Sequence, residues 1–311
     1  MKQKIVVIVG PTASGKTALS VSLAKKVGGE VISADSMQIY REMNIGTAKP
    51  SFEERDGVPH HLMGHISVEE DYSVVSYVDQ ATVALSDLKA RNSLPILCGG
   101  TGLYIDHLLN GTYFEDIPGA EEARVKFQKI ATEEGNQFLY DLLKKRDPLL
   151  ASKLHPNDLK RVIRGLEVYE AVGKPLSVLQ EESRRESPYE TLWLGVNYSD
   201  RSLLYQRIDQ RVDRMMEQGL LDEIRLLTGQ YTLSATARAA IGYKEIIDAM
   251  ESGDSIDDAV ALVKQKSRNY AKRQLTWFGR NPKIHWFNRD ELSEEEILAS
   301  SEELVDRFLK G

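Results

Sequence analysis

An apolar run, Lys4-Ile5-Val6-Val7-Ile8-Val9, leads without a break into Gly10-Pro11-Thr12-Ala13-Ser14-Gly15-Lys16-Thr17, and this junction limits the possible folds more than any other stretch of the chain. Apolar, β-branched residues without alternation form a strand covered on both faces, the habit of parallel sheets. The eight residues after it complete a Walker A pattern, which works only between such a strand and a helix. Gly10 and Gly15 relax the backbone so that successive N–H groups turn inward around phosphate oxygens. The helix that follows, from about residue 15 to 27, adds the partial positive charge of its N-terminus. Lys16 neutralises terminal phosphate charge, and the Thr17 hydroxyl can ligate Mg²⁺. Residues 10–17 are therefore expected to hold a diphosphate or triphosphate, with Mg²⁺ as cofactor.

The alternation continues. Residues 30–34 read as a second strand ending at Asp35, and residues 73–91 as a helix with Val74, Val75, Val78, Val83, Leu85 and Leu88 on a broad inner stripe. Residues 95–98 make a third strand, followed by Gly99-Gly100-Thr101-Gly102 and a helix with Tyr104 and Ile105 on its core face. Strand, loop and helix in repetition imply an α/β fold: a P-loop NTPase-like parallel sheet flanked by helices, with binding loops at the carboxyl ends of the strands. The character changes after Pro118. Residues 119–187 show only amphipathic helical segments, broken at Asp147-Pro148 and His155-Pro156. A strand returns at 191–197, the chain turns mostly helical again after Ser199, and one short strand is expected near 284–287. Residues 1–117 and 189–311 are thus expected to form the catalytic core, and 118–188 an all-helical insertion.

A conventional P-loop ATPase places a second acid at the end of a neighbouring strand to hold Mg²⁺. Here the 95–98 strand ends in Gly-Gly-Thr-Gly, and the acid comes early, at Asp35. Asp35 could serve only as a helix N-cap for the segment after it. Its position at a strand's carboxyl end, two strand ends from the phosphate loop, favours a carboxylate that positions or deprotonates an acceptor attacking a bound diphosphate ester. That arrangement suits a group transferase better than a motor or a switch.

The chain carries a net charge of −7, which argues mildly against nucleic acid as a partner, yet the charge is segregated. Lys264, Lys266, Arg268, Lys272, Arg273, Arg280 and Lys283 fall in one stretch without an acid, with Trp277 and Phe278 among them. Such a stripe offers phosphate contacts and stacking surfaces; a solvated helix face with Leu275 and Trp277 in the core would look the same. The lone Cys98 excludes internal disulfides and cysteine-based zinc sites. No export signal or membrane span is read in the sequence, so a cytoplasmic location is expected. His60, His61 and His65 lack acidic or thiol company at ligand spacing and read as structural loop residues, and Lys49 as a surface lysine.

Taken in order, several segments resemble one family. They are the full Walker A loop, Ala34-Asp35-Ser36-Met37-Gln38-Ile39-Tyr40, Gly46-Thr47-Ala48-Lys49-Pro50, Val58-Pro59-His60-His61-Leu62 and Gly99-Gly100-Thr101-Gly102-Leu103-Tyr104. Arg161-Val162-Ile163-Arg164, Leu166-Glu167-Val168-Tyr169 and Lys272-Arg273-Gln274-Leu275-Thr276-Trp277-Phe278 follow. The succession resembles the bacterial tRNA dimethylallyltransferases, also called tRNA isopentenyltransferases, over nearly the whole chain. The resemblance implies transfer of a dimethylallyl group from dimethylallyl diphosphate to N6 of the tRNA adenosine beside the anticodon, position 37. It implies roles for Asp35 as general base and for Thr101 and Arg211 at the diphosphate, with Arg207 the nearby alternative to Arg211. Because a stacked adenine cannot bring N6 to a bound diphosphate, the base should be flipped into a channel. Ser36, Met37 and Gln38, with Asp35 and Thr101, would then lie beside it. Arg124 with Lys160, Arg161, Val162, Ile163 and Arg164 would grip the anticodon stem-loop, and Lys272 and Arg273 would add tRNA contacts. Lys160 stands where members commonly have glutamine, and Gly279 precedes Arg280 where an arginine pair is frequent.

A monomer is expected, with no membrane partner. Two enzymatic alternatives share the same loop: a small-molecule kinase using ATP, and an isopentenyltransferase acting on free adenylate. The first predicts an arginine-bearing lid; the second has little use for the helical insertion or the basic stripe. A non-catalytic RNA-binding protein is disfavoured by intact Lys16, Thr17 and Asp35.

Overall fold

In the computed structural model, which describes residues 2–110, 119–183 and 186–311, the opening apolar run forms β1 (Gln3–Val9), with Ile5 through Val9 wholly buried. α1 (Lys16–Val27), β2 (Gly29–Ala34), a single helical turn α2 (Phe52–Arg55), β3 (His60–His61), α3 (Val74–Ala90), β4 (Leu94–Gly99) and α4 (Gly102–Asn110) follow. Next come α5 (Ala120–Glu134), α6 (Asn136–Arg146), α7 (Pro148–Ala151), α8 (Leu159–Val172) and α9 (Leu176–Glu182). β5 (Tyr189–Asn197), α10 (Arg201–Glu217), α11 (Leu220–Gln230), α12 (Ala235–Arg238), α13 (Tyr243–Ser252), α14 (Ile256–Phe278), β6 (Ile284–Asn288) and α15 (Glu294–Lys310) complete the chain.

The strands lie in the order β3-β2-β4-β1-β5-β6, and every pairing is parallel. Alternation along β1 sends Ile5, Val7 and Val9 into one core and Val6 and Ile8 into another. α1 and α15 supply Leu19, Leu23, Ile297 and Val305 to the second of these. Register then fixes the site. Val9 pairs with Gly99 and Gly195, and Gly99 pairs with Ala34. The strand ends carrying the Walker loop, Thr101 and Asp35 are therefore level, with β4 alone between β1 and β2.

The chain divides into two compact units, Met1–Leu109 with Pro188–Gly311, and Asn110–Ser187. The expected boundary at 117/118 lies outside the described residues. The second unit is helical throughout its described part and has its own core of Phe127, Leu139, Leu143, Val162 and Leu166. Gly165 lets α8 close on α6 and α7: a Cβ there would stand 2.7 Å from methyl carbons of both Leu143 and Leu150. Among the described residues no helix is long and apolar enough to cross a membrane.

Three expectations need correction. His60 and His61 are not loop residues but a two-residue edge strand, paired with Val31 and Ile32. His61 also contacts Glu30 (2.7 Å), whose carboxyl Arg91 holds down to about 2. Val83 lies on the outer face of α3 at 72% exposure, and Tyr77 and Ala81 take the inner positions instead. Lys49 is not a free surface lysine. Its ammonium donates to the carbonyls of Tyr40 (2.6 Å) and Arg41 (3.0 Å) and to Asn44 Oδ1 (3.0 Å), pinning the loop that follows Asp35; burial pulls it down to about 8.

Candidate active site

The Walker loop alternates backbone hands, with Gly10, Ala13 and Gly15 at φ 148°, 62° and 91°. Such alternation turns amides toward a common centre, the geometry of an anion nest. Gly10 is obligatory because the Val196 carbonyl fills the place of a side chain there. Ser14 Oγ is fully buried and has no hydrogen-bond partner. Buried polar atoms are rarely left unpaired in a finished structure, so this hydroxyl fits a loop built to close on an anion. Lys16 donates to the Pro11 carbonyl at 2.6 Å. Its ammonium is pulled down to about 8, chiefly by burial and further by Arg211, while Cys98 and Asp35 act the other way.

Across β4, Asp35 divides its two oxygens. Oδ1 accepts from the amides of Met37 (2.9 Å) and Gln38 (3.2 Å). Oδ2 makes no hydrogen bond among the described residues. The capping use and the open-acceptor use of this carboxylate therefore coexist on one side chain. Thr101 ties the two loops together: its amide donates to the Ala34 carbonyl (3.0 Å), and its hydroxyl accepts from the Ser36 amide (3.0 Å). Arg211, from α10, donates to Thr12 Oγ1 at 3.3 Å and lies within electrostatic reach of Asp35. Burial lowers its pKa. Arg207 instead lies over the Tyr198 ring, 5.6 Å from its centre. The fold thus brings residues 10–17, Asp35, Ser36, Thr101 and Arg211 together. Gln38 spends its amide N–H on the Thr47 and Ala48 carbonyls (3.2 Å each), and Met37 packs against the core.

Two residues of α14 belong here that residue-by-residue reading did not single out. Gln274 is buried and spans the site: its amide donates to the Gly100 carbonyl (3.0 Å) and its carbonyl accepts from the Thr12 amide (2.8 Å). A side chain at Gly100 would displace this amide from its place. Tyr270 lies within electrostatic reach of Asp35, and burial pushes its phenol up to about 12. Trp277 packs on Gly102 and donates to Asp106 (2.9 Å). The sequence signal was present in Gln274-Leu275-Thr276-Trp277; its meaning depended on which loops α14 crosses.

The remaining predicted residues lie elsewhere. Lys272 and Arg273 are exposed, and Arg273 stacks on Tyr270 at 5.5 Å. Part of the basic stripe is already neutralised within the protein: Arg268 pairs with Asp209 (2.5 Å) and Lys264 with Asp213 (2.5 Å). In the helical unit, Val162 and Ile163 carry buried side chains that pack in the unit's core. Lys160 and Arg161 are exposed. Arg124 and Arg164 both turn onto the buried carboxylate of Glu167, at 2.9 and 2.6 Å.

Oxygen donors suit a hard divalent metal held mainly by substrate phosphates, which needs only one or two protein ligands. The Thr17 hydroxyl at the start of α1 meets that requirement. Among the described residues no cluster of three or more His, Cys, Asp or Glu could hold a metal by itself.

A nest of amides with a half-buried lysine and arginine, facing a half-open carboxylate across one intervening strand, defines a P-loop group transferase. The IPP transferase family model matches residues 38–281. The tRNA dimethylallyltransferase of Carboxydothermus hydrogenoformans is 45% identical over 312 residues, covering 99% of this chain and all of that one. The enzyme of the same name from Geobacillus thermodenitrificans is also 45% identical, over 311 residues, covering 100% and 98% of the two chains. The crystal structure of a tRNA isopentenylpyrophosphate transferase from Bacillus halodurans superposes with a TM-score of 0.76 at 40% identity, covering 99% and 97% of the two chains. A eukaryotic dimethylallyltransferase acting on tRNA superposes at 0.82 and 34% identity, covering 99% of this chain and 80% of that one. The chain belongs to the IPP transferase family.

Proposed function

We propose that this protein transfers a dimethylallyl group from dimethylallyl diphosphate to N6 of the adenosine next to the anticodon of tRNA, releasing diphosphate. The observation that carries the reading is Asp35, with one oxygen fixed by backbone amides and the other open, level with the phosphate loop. In the reaction, N6 attacks the allylic carbon, the carbon–oxygen bond to the diphosphate breaks, and the N6 proton passes to Asp35 Oδ2. The amine is a poor nucleophile because its lone pair is delocalised into the ring, so removal of the proton as the bond forms is where a base helps. The loop amides, Lys16 and Arg211 stabilise the departing diphosphate. A divalent metal, Mg²⁺ in this reading, supplies further neutralisation of the leaving oxygens when bound, and Thr17 would hold it. Thr101 and Gln274 keep the two loops in register. Ser36, Met37 and Gln38 border the flipped base. Lys160, Arg161, Lys272 and Arg273 supply solvent-facing charge for tRNA phosphates, Arg124 and Arg164 add to it from their pairs with Glu167, and the enzyme acts as a cytoplasmic monomer.

Incubation with labelled dimethylallyl diphosphate and either tRNA or AMP tests the reading. Label entering tRNA supports it. Label entering AMP alone, or phosphorylation of a small molecule from ATP, replaces it with one of the two alternatives.

Lys16 gives a second expectation. Its ammonium must be charged to neutralise phosphate, and burial has brought its pKa to about 8. Diphosphate affinity of the wild type should therefore fall above about pH 8, relative to a Lys16→Arg variant whose charge does not titrate. Below that pH the ratio of the two affinities should be flat. Titration calorimetry should also show proton uptake on binding near pH 8–9, because a bound anion returns the lysine to its charged form. A flat ratio through pH 9 would remove Lys16 from the cradle.

A further inference from the structure

Beyond the residues already placed at the loop, one more cation reaches it. Arg289 directly follows β6, and its main-chain amide donates to the Asn197 carbonyl at the end of β5 (2.9 Å). Its side chain runs back along the strand ends to Gly15, where its guanidinium takes the space a side chain would need; the guanidinium carbon is 3.1 Å from that point. Gly15 caps α1 and opens the stretch of amides that faces a bound anion. The opposite edge of the guanidinium pairs with Glu294. The two partners differ in setting: the arginine side chain is 15% exposed and the glutamate 68%. An ion pair with one partner in solvent is weak and exchangeable, whereas arginine and phosphate form a strong, directional, charge-assisted contact. The guanidinium is thus held over the phosphate loop by a partner that it can give up.

We propose that Arg289 is a third cation of the phosphate cradle, gripping the far phosphate of a diphosphate ester and filling the room that a longer polyphosphate or a nucleoside would need. This inference rests on the reading of residues 10–17 as a diphosphate site. Lys16 and Arg211 approach the loop from the side of Asp35, where the allylic carbon reacts; Arg289 closes it from the side of β6. The cradle is then two phosphates long. A triphosphate needs room beyond the phosphate that Arg289 grips and can take it only by displacing the guanidinium itself, so the arginine tunes a loop of general design toward a diphosphate substrate.

The test uses the full chain with magnesium and compares binding of pyrophosphate and of tripolyphosphate by titration calorimetry in wild type, Arg289→Ala and Glu294→Gln. Arg289→Ala should weaken pyrophosphate by about tenfold or more, the scale of a lost charged hydrogen bond. Tripolyphosphate should weaken much less, so that the preference between the two collapses. Glu294→Gln leaves the arginine free for phosphate and should bind pyrophosphate as well as wild type or better. In turnover, the Arg289→Ala loss should fall on KM for dimethylallyl diphosphate rather than on kcat. Should Arg289→Ala fail to give a cooperative thermal transition, Arg289→Gln, which keeps most of the stem, carries the same expectations. An unchanged preference in the arginine variant, or a Glu294→Gln variant that weakens pyrophosphate as Arg289→Ala does, would overturn the proposal. Because binding is measured without tRNA or turnover, a chain that binds pyrophosphate but does not prenylate tRNA would fail the functional reading and leave this one standing.

Discussion

Asp35→Asn should lower turnover with tRNA by about 10²–10⁴-fold, the usual worth of a general base, while leaving the protein folded and able to bind diphosphate. The choice of asparagine follows from the division of labour within the carboxylate. Oδ1 is committed to the amides of Met37 and Gln38, and an asparagine carbonyl can accept both bonds. Only the open oxygen changes its chemistry, from a base to an N–H donor. Asp35→Ala removes both functions and should lose about 1 kcal/mol of stability in addition, as for a lost cap. The pair of variants therefore separates two uses that any single replacement would confound. If the asparagine variant turned over at near wild-type rate in a purified assay, the carboxylate would be a cap and nothing more. A drop confined to KM for tRNA would make it a binding group for the base and not a proton acceptor.

Why Asp35 was readable from sequence while Arg289 and Gln274 were not is a matter of range. β1, the Walker loop and α1 are contiguous, and their physics is local: an apolar run, glycines at positive φ, a helix start. Asp35 follows a strand in the same way. The carboxyl-end rule for parallel sheets then places it near the loop once β2 lies two strands from β1. Arg289 reaches Gly15, and Gln274 reaches Thr12, across more than 250 positions of chain; no periodicity encodes which loop a helix will cross. The basic stripe misled for the same reason. Lys264 and Arg268 look unopposed along the chain, yet Asp213 and Asp209, one helical turn apart on α10, face them in space. β3 has no signature in sequence because two histidines have no apolar pattern; it exists through register with Val31 and Ile32. Val83 has the residue type of a buried stripe, but Tyr77 and Ala81 fill the inner positions of α3 at helical spacing. Lys49 looked like surface because nothing in sequence shows three oxygen acceptors converging on an ammonium.

The largest stability effect expected in the helical unit comes from Glu167→Ala. Glu167 lies in α8 with its side chain 1% exposed, and it accepts from Arg124 Nε (2.9 Å) and Nη2 (3.1 Å) and from Arg164 Nη1 (2.6 Å). Removing one partner of a buried ion pair typically costs about 3–5 kcal/mol, because the other charge is left without compensation. Here two guanidiniums would face each other over a small cavity. They are 40% and 34% exposed and can turn partly toward water, and Arg124 keeps its pair with Glu121 (2.7 Å), which puts the expected loss at the lower end of that range. It should appear as faster hydrogen exchange in α5 and α8, and a loss below about 1 kcal/mol would mean that the triad contributes no more than a surface pair. The same variant tests the proposal that Arg124 and Arg164 act on RNA. Deleting an acid raises the local positive charge by one, so if these arginines attract phosphate only as charges, tRNA binding should tighten. If Glu167 holds them in a geometry that fits the phosphate backbone, binding should weaken despite the added charge. The bidentate contact with Arg124 fixes the plane of its guanidinium, and planar, bidentate recognition of phosphate is what distinguishes arginine from a point charge. Weaker binding in Glu167→Ala, measured at a temperature where the variant is still folded, is therefore the expected result.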